Sequence, residues 1–258
     1  MNWNVDPEIF RLGPLGIRYY GLMFVIGFTS MEYVVKRIFK SRGLNPDLVS
    51  SLTIHIFAGT FIGARLAHCF FYSPEYYLSN PLDILKVWEG GLASHGGFAG
   101  VIIATYVFLK KHKDIKFFWL MDVIAGPCLF VGSLIRIGNF FNSEIVGRPT
   151  DLPWGIVFER VDTFARHPAQ LYESMGYFTI SMILFAMYKY RFDVWKKGYI
   201  LCNAIIISFG FRFFIEFVKD NQSSISDGFV INMGQILSLI FMSFGVFLFF
   251  KIRNSKEA

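Results

Sequence analysis

In a chain that is otherwise largely apolar, the residues able to do chemistry are few and can be picked out singly. The densest polar stretch runs Arg136-Ile137-Gly138-Asn139-Phe140-Phe141-Asn142-Ser143-Glu144-Ile145-Val146-Gly147-Arg148. Arginine presents a planar fork of donors that meets two phosphate oxygens at once, and Gly138 and Gly147 would permit tight turns. The stretch is therefore expected to receive a phospholipid headgroup where a membrane helix ends in an outer loop; an ordinary polar loop with interfacial anchors is the alternative. His95 is followed by Gly96 and Gly97, which let backbone or ligand come close, and its expected place near the water interface suits proton transfer. Arg212 and Glu216, four residues apart, share a helix face and could neutralise one another. A further polar cluster, Arg166-His167-Pro168-Ala169-Gln170-Leu171-Tyr172-Glu173, opens a helix, with proline near its start. His55, His68, His112 and His167 lack metal-ligand spacing, so no metal is expected. Cys69, Cys128 and Cys202 sit inside apolar runs and read as small buried hydrophobes.

Those residues need a frame, and composition says which kind. Of 258 residues 54% are hydrophobic and only 17% charged, against about 25% charged in soluble chains. Mean hydropathy is +0.46. Apolar runs of roughly 17–35, 51–72, 91–109, 117–135, 171–188, 198–218 and 231–250 are each about long enough to cross ~30 Å of hydrocarbon as a helix. No period-two alternation favours a barrel. The expectation is an all-α integral membrane protein, a bundle of seven transmembrane helices with polar outer-face loops, forming a single membrane domain over residues 1–258.

Six of the seven runs contain ionisable residues: Glu32; His55, Arg65 and His68; His95; Asp122; Glu173; Arg212 and Glu216. At bilayer depth such groups cost at least about 2.5 kcal/mol each and mark a site or a mutual pairing. Basic residues gather on alternate loops: Lys36, Arg37, Lys40 and Arg42; Lys110, Lys111, Lys113 and Lys116; Lys189, Arg191, Lys196 and Lys197; Lys251, Arg253 and Lys256. Short cytoplasmic loops hold such an excess. The N-terminus, the 73–90 loop, the 136–170 connection and the 219–230 loop are thus expected outside, and the C-terminus inside. The net charge of +6 records this asymmetry and not a nucleic-acid partner. With Asp6, Glu8 and a single Arg11 before Gly16, the N-terminus does not read as a cleaved signal peptide.

The chain resembles the bacterial prolipoprotein diacylglyceryl transferases. The resemblance is carried by Arg18-Tyr19-Tyr20-Gly21-Leu22-Met23, by Gly63-Ala64-Arg65-Leu66, by Trp88-Glu89-Gly90-Gly91 with His95-Gly96-Gly97, by the Arg136 to Arg148 signature, and by Arg166 to Glu173. It implies transfer of diacylglyceryl from phosphatidylglycerol to the lipobox cysteine thiol of a prolipoprotein at the bacterial inner membrane. No cofactor is implied. A thiol that displaces glycerol phosphate needs its proton removed and the leaving phosphate stabilised. His95 could act as base and Arg136 and Arg212 as the phosphate clamp. By resemblance Tyr20, Asn139, Glu144, Gly147 and Glu216 complete the site. Two departures stand out: Ile135 where the family usually has glycine, and Phe217-Val218-Lys219-Asp220-Asn221 where it often has arginine and a Pro-Asp pair.

Overall fold

A computed structural model describes residues 1–12, 15–86, 91–220 and 232–255. Trp88, Glu89 and Gly90 of one family motif, nearly all of the expected 219–230 loop, the first residue of the expected last helix, and Lys256 lie outside the described residues.

Seven long helices occupy the seven apolar runs: α1 (Tyr19–Ser41), α2 (Leu48–Phe71), α4 (Ser94–Lys111), α5 (Phe117–Phe141), α6 (Ala169–Arg191), α7 (Tyr199–Ile215) and α8 (Met233–Asn254). A short α3 (Pro74–Ser79) and a 3-10 turn (Pro81–Leu85) lie in the expected 73–90 loop. Of these helices α2, α5 and α8 are long and apolar enough to cross a membrane, while α7 is apolar but shorter. The helices end where backbone groups find partners. Asn232 caps α8 by accepting from Gln235 N at 2.8 Å, and Gln235 Oε1 accepts from Asn232 N at 3.0 Å, a reciprocal capping box. The N-terminus of α7 is capped from another helix: Asp122 of α5 accepts from Gly198 N at 2.6 Å and Leu201 N at 2.8 Å.

The largest correction to the sequence reading concerns α5. It does not stop at 135 but runs to Phe141, so Arg136 and Asn139 are helical residues on its last turns. The first helix starts later than expected, because Ile17 and Arg18 belong to a hairpin of β2 (Glu8–Leu12) and β3 (Leu15–Arg18). The expected all-α character also gives way at the outer connection. There β4 (Ile156–Phe158) pairs antiparallel with β5 (Ala165–Arg166) and parallel with β1 (Asn2–Trp3). Phe140, Val146, Ile156 and Phe158 make a small apolar cluster of their own, with Trp3 and Leu171 against it. A connection too short to build a core alone thus borrows one side from the N-terminus and one from α5.

Packing between helices depends on glycine where the backbones meet. A Cβ on Gly63 of α2 would overlap the Gly96 carbonyl oxygen of α4, and one on Gly100 would overlap Gly59 O. These contacts set α4, and with it His95, directly against α2. Several in-span charges turn out to serve the frame. Glu32 holds Lys36 at 2.7 Å and Ser50 Oγ at 2.7 Å. Arg65 donates to the carbonyls of Ile84 at 2.9 Å and Asp83 at 2.6 Å, tying the 3-10 turn to α2.

Candidate functional site

The site assembles around Glu173 on the second turn of α6, none of whose surface is exposed. Arg212 Nη1 donates to Glu173 Oε1 at 3.0 Å. Arg136 Nε lies 3.1 Å from Glu173 Oε2, an ion-pair contact from α5. Arg212 Nη2 holds Glu216 Oε1 at 2.8 Å, the i,i+4 pairing anticipated from the sequence. A third cation, Lys219, reaches Glu216 Oε1 at 3.1 Å and Glu173 Oε1 at 3.6 Å. All five groups are buried. Burying charge is expensive unless each group is paired and hydrogen-bonded, and here every carboxylate has more than one cation.

Sequence reasoning gave Lys219 no role, because it follows the apolar run of α7 and reads as the first residue of a loop. Tertiary pairing buries it. Gly147 and Lys219 form an antiparallel bridge, Arg148 N donates to Val218 O at 2.9 Å, and Asp220 N donates to Val146 O at 3.3 Å. Its i,i+3 spacing from Glu216 was the available signal. Gln170, also without an assigned role, is fully buried and donates to Glu144 O at 2.6 Å.

The signature residues extend this cluster outward. Arg136 Nη1 donates to Asn139 Oδ1 at 3.1 Å, and Asn139 Nδ2 to Glu144 Oε2 at 3.1 Å, so a continuous polar line leads from buried Arg136 to exposed Glu144. The left-handed backbone lies at Ser143 (φ 55°) and Ile145 (φ 57°), on either side of Glu144, and not at Gly138 or Gly147 as the sequence suggested. For a β-branched residue that conformation is strained. The two glycines have a different use. A Cβ on Gly138 would stand 2.7 Å from Tyr20 Cδ2, and one on Gly147 would stand 2.5 Å from His167 Cβ and 2.7 Å from Val218 O. Gly138 therefore lets the Tyr20 ring of α1 lie against α5 one residue before Asn139, and Gly147 lets three chain segments meet.

His95 departs from its expected setting. It is 3% exposed, not at a water interface, and its Nε2 lies 3.3 Å from Arg212 Nε and 3.4 Å from Ser238 Oγ of α8. Its ring abuts the stacked pair Phe209 and Phe241. All eight residues singled out from the sequence thus fall in one region, reached from α1, α4, α5, α7 and the Glu144 to Gly147 segment.

Arg166, by contrast, is a tie in the outer connection. It donates to Asp162 Oδ2 at 2.6 Å, to Asp220 Oδ2 at 3.0 Å and to Gly147 O at 3.0 Å. The Arg166 hydrogen bond holds the Asp162 carboxyl below its usual range and raises the guanidinium in turn. Among the described residues, no group of three or more His, Cys, Asp and Glu side chains is placed to hold a metal ion.

Comparison with known proteins follows the same lines. Residues 7–251 match the family of prolipoprotein diacylglyceryl transferases. Relatives called phosphatidylglycerol–prolipoprotein diacylglyceryl transferase include one from Tolumonas auensis, 44% identical with 95% of each chain covered. Another, from Chloroherpeton thalassium, is 42% identical over 96% of this chain and 93% of its own. A third, from Bacteroides fragilis, is 38% identical over 100% and 97%.

Proposed function

The chain belongs to the prolipoprotein diacylglyceryl transferase family, and on that premise we propose that it transfers diacylglyceryl from phosphatidylglycerol to the lipobox cysteine of a prolipoprotein, releasing glycerol 1-phosphate. One observation carries the reading: Arg136, Arg212 and Lys219 share a buried volume with two carboxylates, Glu173 and Glu216. The cluster is one positive charge in excess, and the phosphodiester of a phospholipid supplies one negative charge. Arg136 and Arg212 clamp the phosphate, while Tyr20, Asn139, Glu144 and Gly147 complete its surroundings. Glu216 and Glu173 hold the guanidinium forks in place.

In the reaction the sulfur–carbon bond forms as the bond from that glycerol carbon to the phosphate oxygen breaks. The thiol's proton is balanced by the new phosphate monoester or by water. The developing charge on the leaving oxygen is where pre-placed arginines have most effect, because they need no reorganisation at that moment.

For the frame, the reading is one membrane domain crossing a bacterial inner membrane seven times, N-terminus outside and C-terminus in the cytoplasm. The charge asymmetry of the loops supports it. The test is direct. Purified protein, phosphatidylglycerol vesicles and a lipobox peptide should yield a peptide heavier by one diacylglyceryl group on its cysteine, with glycerol phosphate released. A peptide with serine in that place should be inert, since a hydroxyl is hardly ionised near neutral pH. An unchanged peptide mass with folded protein would reject the assignment.

A further inference from the structure

We propose that Gln235, on the first turn of α8, is a specificity-determining residue for this transfer, its amide nitrogen donating to a hydroxyl oxygen of the lipid's glycerol headgroup. The inference rests on the transferase reading above. Valence decides how the amide is turned. A backbone N–H can only donate, so the atom that receives Asn232 N at 3.0 Å is the amide oxygen of Gln235. The capping box thus fixes the side chain and leaves Nε2 as the outstanding group. That nitrogen is buried without a hydrogen-bond partner among the described residues, on a residue only 3% exposed. A buried donor left unpaired is costly, and a substrate oxygen would satisfy it.

Its neighbours along α8 place Gln235 at the charge cluster. Asn232 Nδ2 donates to Glu216 Oε2 at 3.3 Å, and a Cβ on Gly234 would stand 2.7 Å from the Glu216 carboxyl carbon. One turn on, Ser238 Oγ lies 3.4 Å from His95 Nε2. Asn232, Gln235 and Ser238 follow one another at i,i+3 spacing on one side of the helix. Gln235 therefore lies between the residue that meets Glu216 and the residue that meets His95. Both oxygens of Glu216 are already engaged, Oε1 by Arg212 and Lys219 and Oε2 by Asn232. The Gln235 donor is not needed to hold the cluster together.

The same helix gives the lipid a direction. Phe241 stacks on Phe209 and meets Phe98, with ring centroids 4.7 Å and 5.5 Å apart, so beyond Ser238 this side of α8 is apolar. Towards Asn232 it is polar. An amphiphile whose phosphate is held by Arg136 and Arg212 turns its acyl chains to the phenylalanines and its headgroup to Gln235. A glycerol headgroup brings hydroxyl oxygens that accept from Nε2. An ethanolamine headgroup brings an ammonium, which has three donors and no acceptor, and leaves Nε2 stranded beside a further donor.

The experiment varies headgroup and residue together. Purified protein receives a lipobox peptide and phosphatidylcholine vesicles carrying phosphatidylglycerol, phosphatidylpropanol or phosphatidylethanolamine, and initial rates are read from the peptide's mass. Phosphatidylpropanol keeps the charge of phosphatidylglycerol but has no headgroup hydroxyl. Wild type should use phosphatidylglycerol about tenfold faster or more than phosphatidylpropanol. Gln235→Leu has no donor and should bring that ratio to about one, chiefly by slowing transfer from phosphatidylglycerol. Gln235→Glu keeps the capping acceptor and sets a carboxylate where the donor stood, so its rate with phosphatidylethanolamine should exceed that of wild type by about threefold or more. Thermal unfolding checks each variant; should leucine not fold, the wild-type ratio and the glutamate variant decide. Equal wild-type rates with phosphatidylglycerol and phosphatidylpropanol, or variants that lose the same factor with every lipid, would overturn the role of Gln235 and leave the transferase standing. Wild type inert with phosphatidylglycerol would instead bring down the transferase reading, and this inference with it.

Discussion

Arg136 touches Glu173 through Nε and Asn139 through Nη1, so replacing it tests fork geometry apart from charge. Lysine keeps the charge but not the planar fork. Arg136→Lys should lower transfer by about tenfold or more, and Arg136→Ala further, read as kcat/KM with vesicle-borne phosphatidylglycerol. Equal activity of the lysine variant and wild type would reduce Arg136 to a point charge. Arg212 was expected either to bind phosphate or merely to neutralise Glu216, and it is in fact bound to both Glu216 and Glu173. If pairing is its whole purpose, Arg212→Gln combined with Glu216→Gln should recover most of what Arg212→Gln alone loses. The clamp assignment expects no recovery, with the double variant folded but inactive. Substitution of Lys219 would leave Glu216 with Arg212 and Glu173 with both arginines, so it should destabilise by less than the about 3–5 kcal/mol that follows when the sole partner of a buried charge is removed. The pairings of Arg212 with Glu216 and of Lys219 with Glu216 follow helix spacing, and the sequence reading used only the former. The pairings with Glu173 cross between helices, and no spacing rule foretells them.

At the scale of elements, the α2–α4 contact is set by missing side chains. An added methyl on Gly63 meets the Gly96 carbonyl next to His95, and a backbone obstacle cannot rotate away. Gly63→Ala should destabilise by about 1–3 kcal/mol and lower activity by displacing His95 from Arg212. An unchanged unfolding midpoint together with unchanged activity would show that α4 can shift without consequence. The outer connection is held differently, by Arg166 on Asp162, Asp220 and Gly147 O. Because the folded Asp162 carboxyl titrates below its usual range, its contribution is fully present above the ordinary aspartate pKa of about 3.9 and is lost as pH falls through the lowered value. Hydrogen exchange at the β4–β5 amides should therefore accelerate on acidification below about pH 4, relative to that of the helices. Asp162→Asn should show the faster exchange already at neutral pH. The sequence located this connection but did not reveal its strands. Strands of two or three residues leave no usable alternation, and β1, which pairs with β4, lies more than a hundred residues away.

For the whole molecule the loop charges make a prediction that activity measurements do not. Cysteine labels near Lys111 or Lys196 should be shielded from an impermeant reagent in intact cells, and labels near Thr150 should react. The opposite pattern would put Glu144 and the signature segment on the cytoplasmic side. What the sequence determined by itself was the number and order of the long helices, since seven apolar runs with basic residues on alternate loops leave little freedom. It also determined membership in a transferase family, through the Arg136 to Arg148 signature, and singled out eight residues that the fold brings into one region. Hydrophobicity and helix periodicity are local properties, and a chain carries them in linear order. Tertiary structure alone decided that α5 continues through Arg136 and Asn139, that Lys219 becomes buried, and that His95 faces a guanidinium instead of water. Those outcomes depend on which groups remain to satisfy a buried charge once the helices have packed, and a buried charge takes its partners from whatever is near in space, however far along the chain.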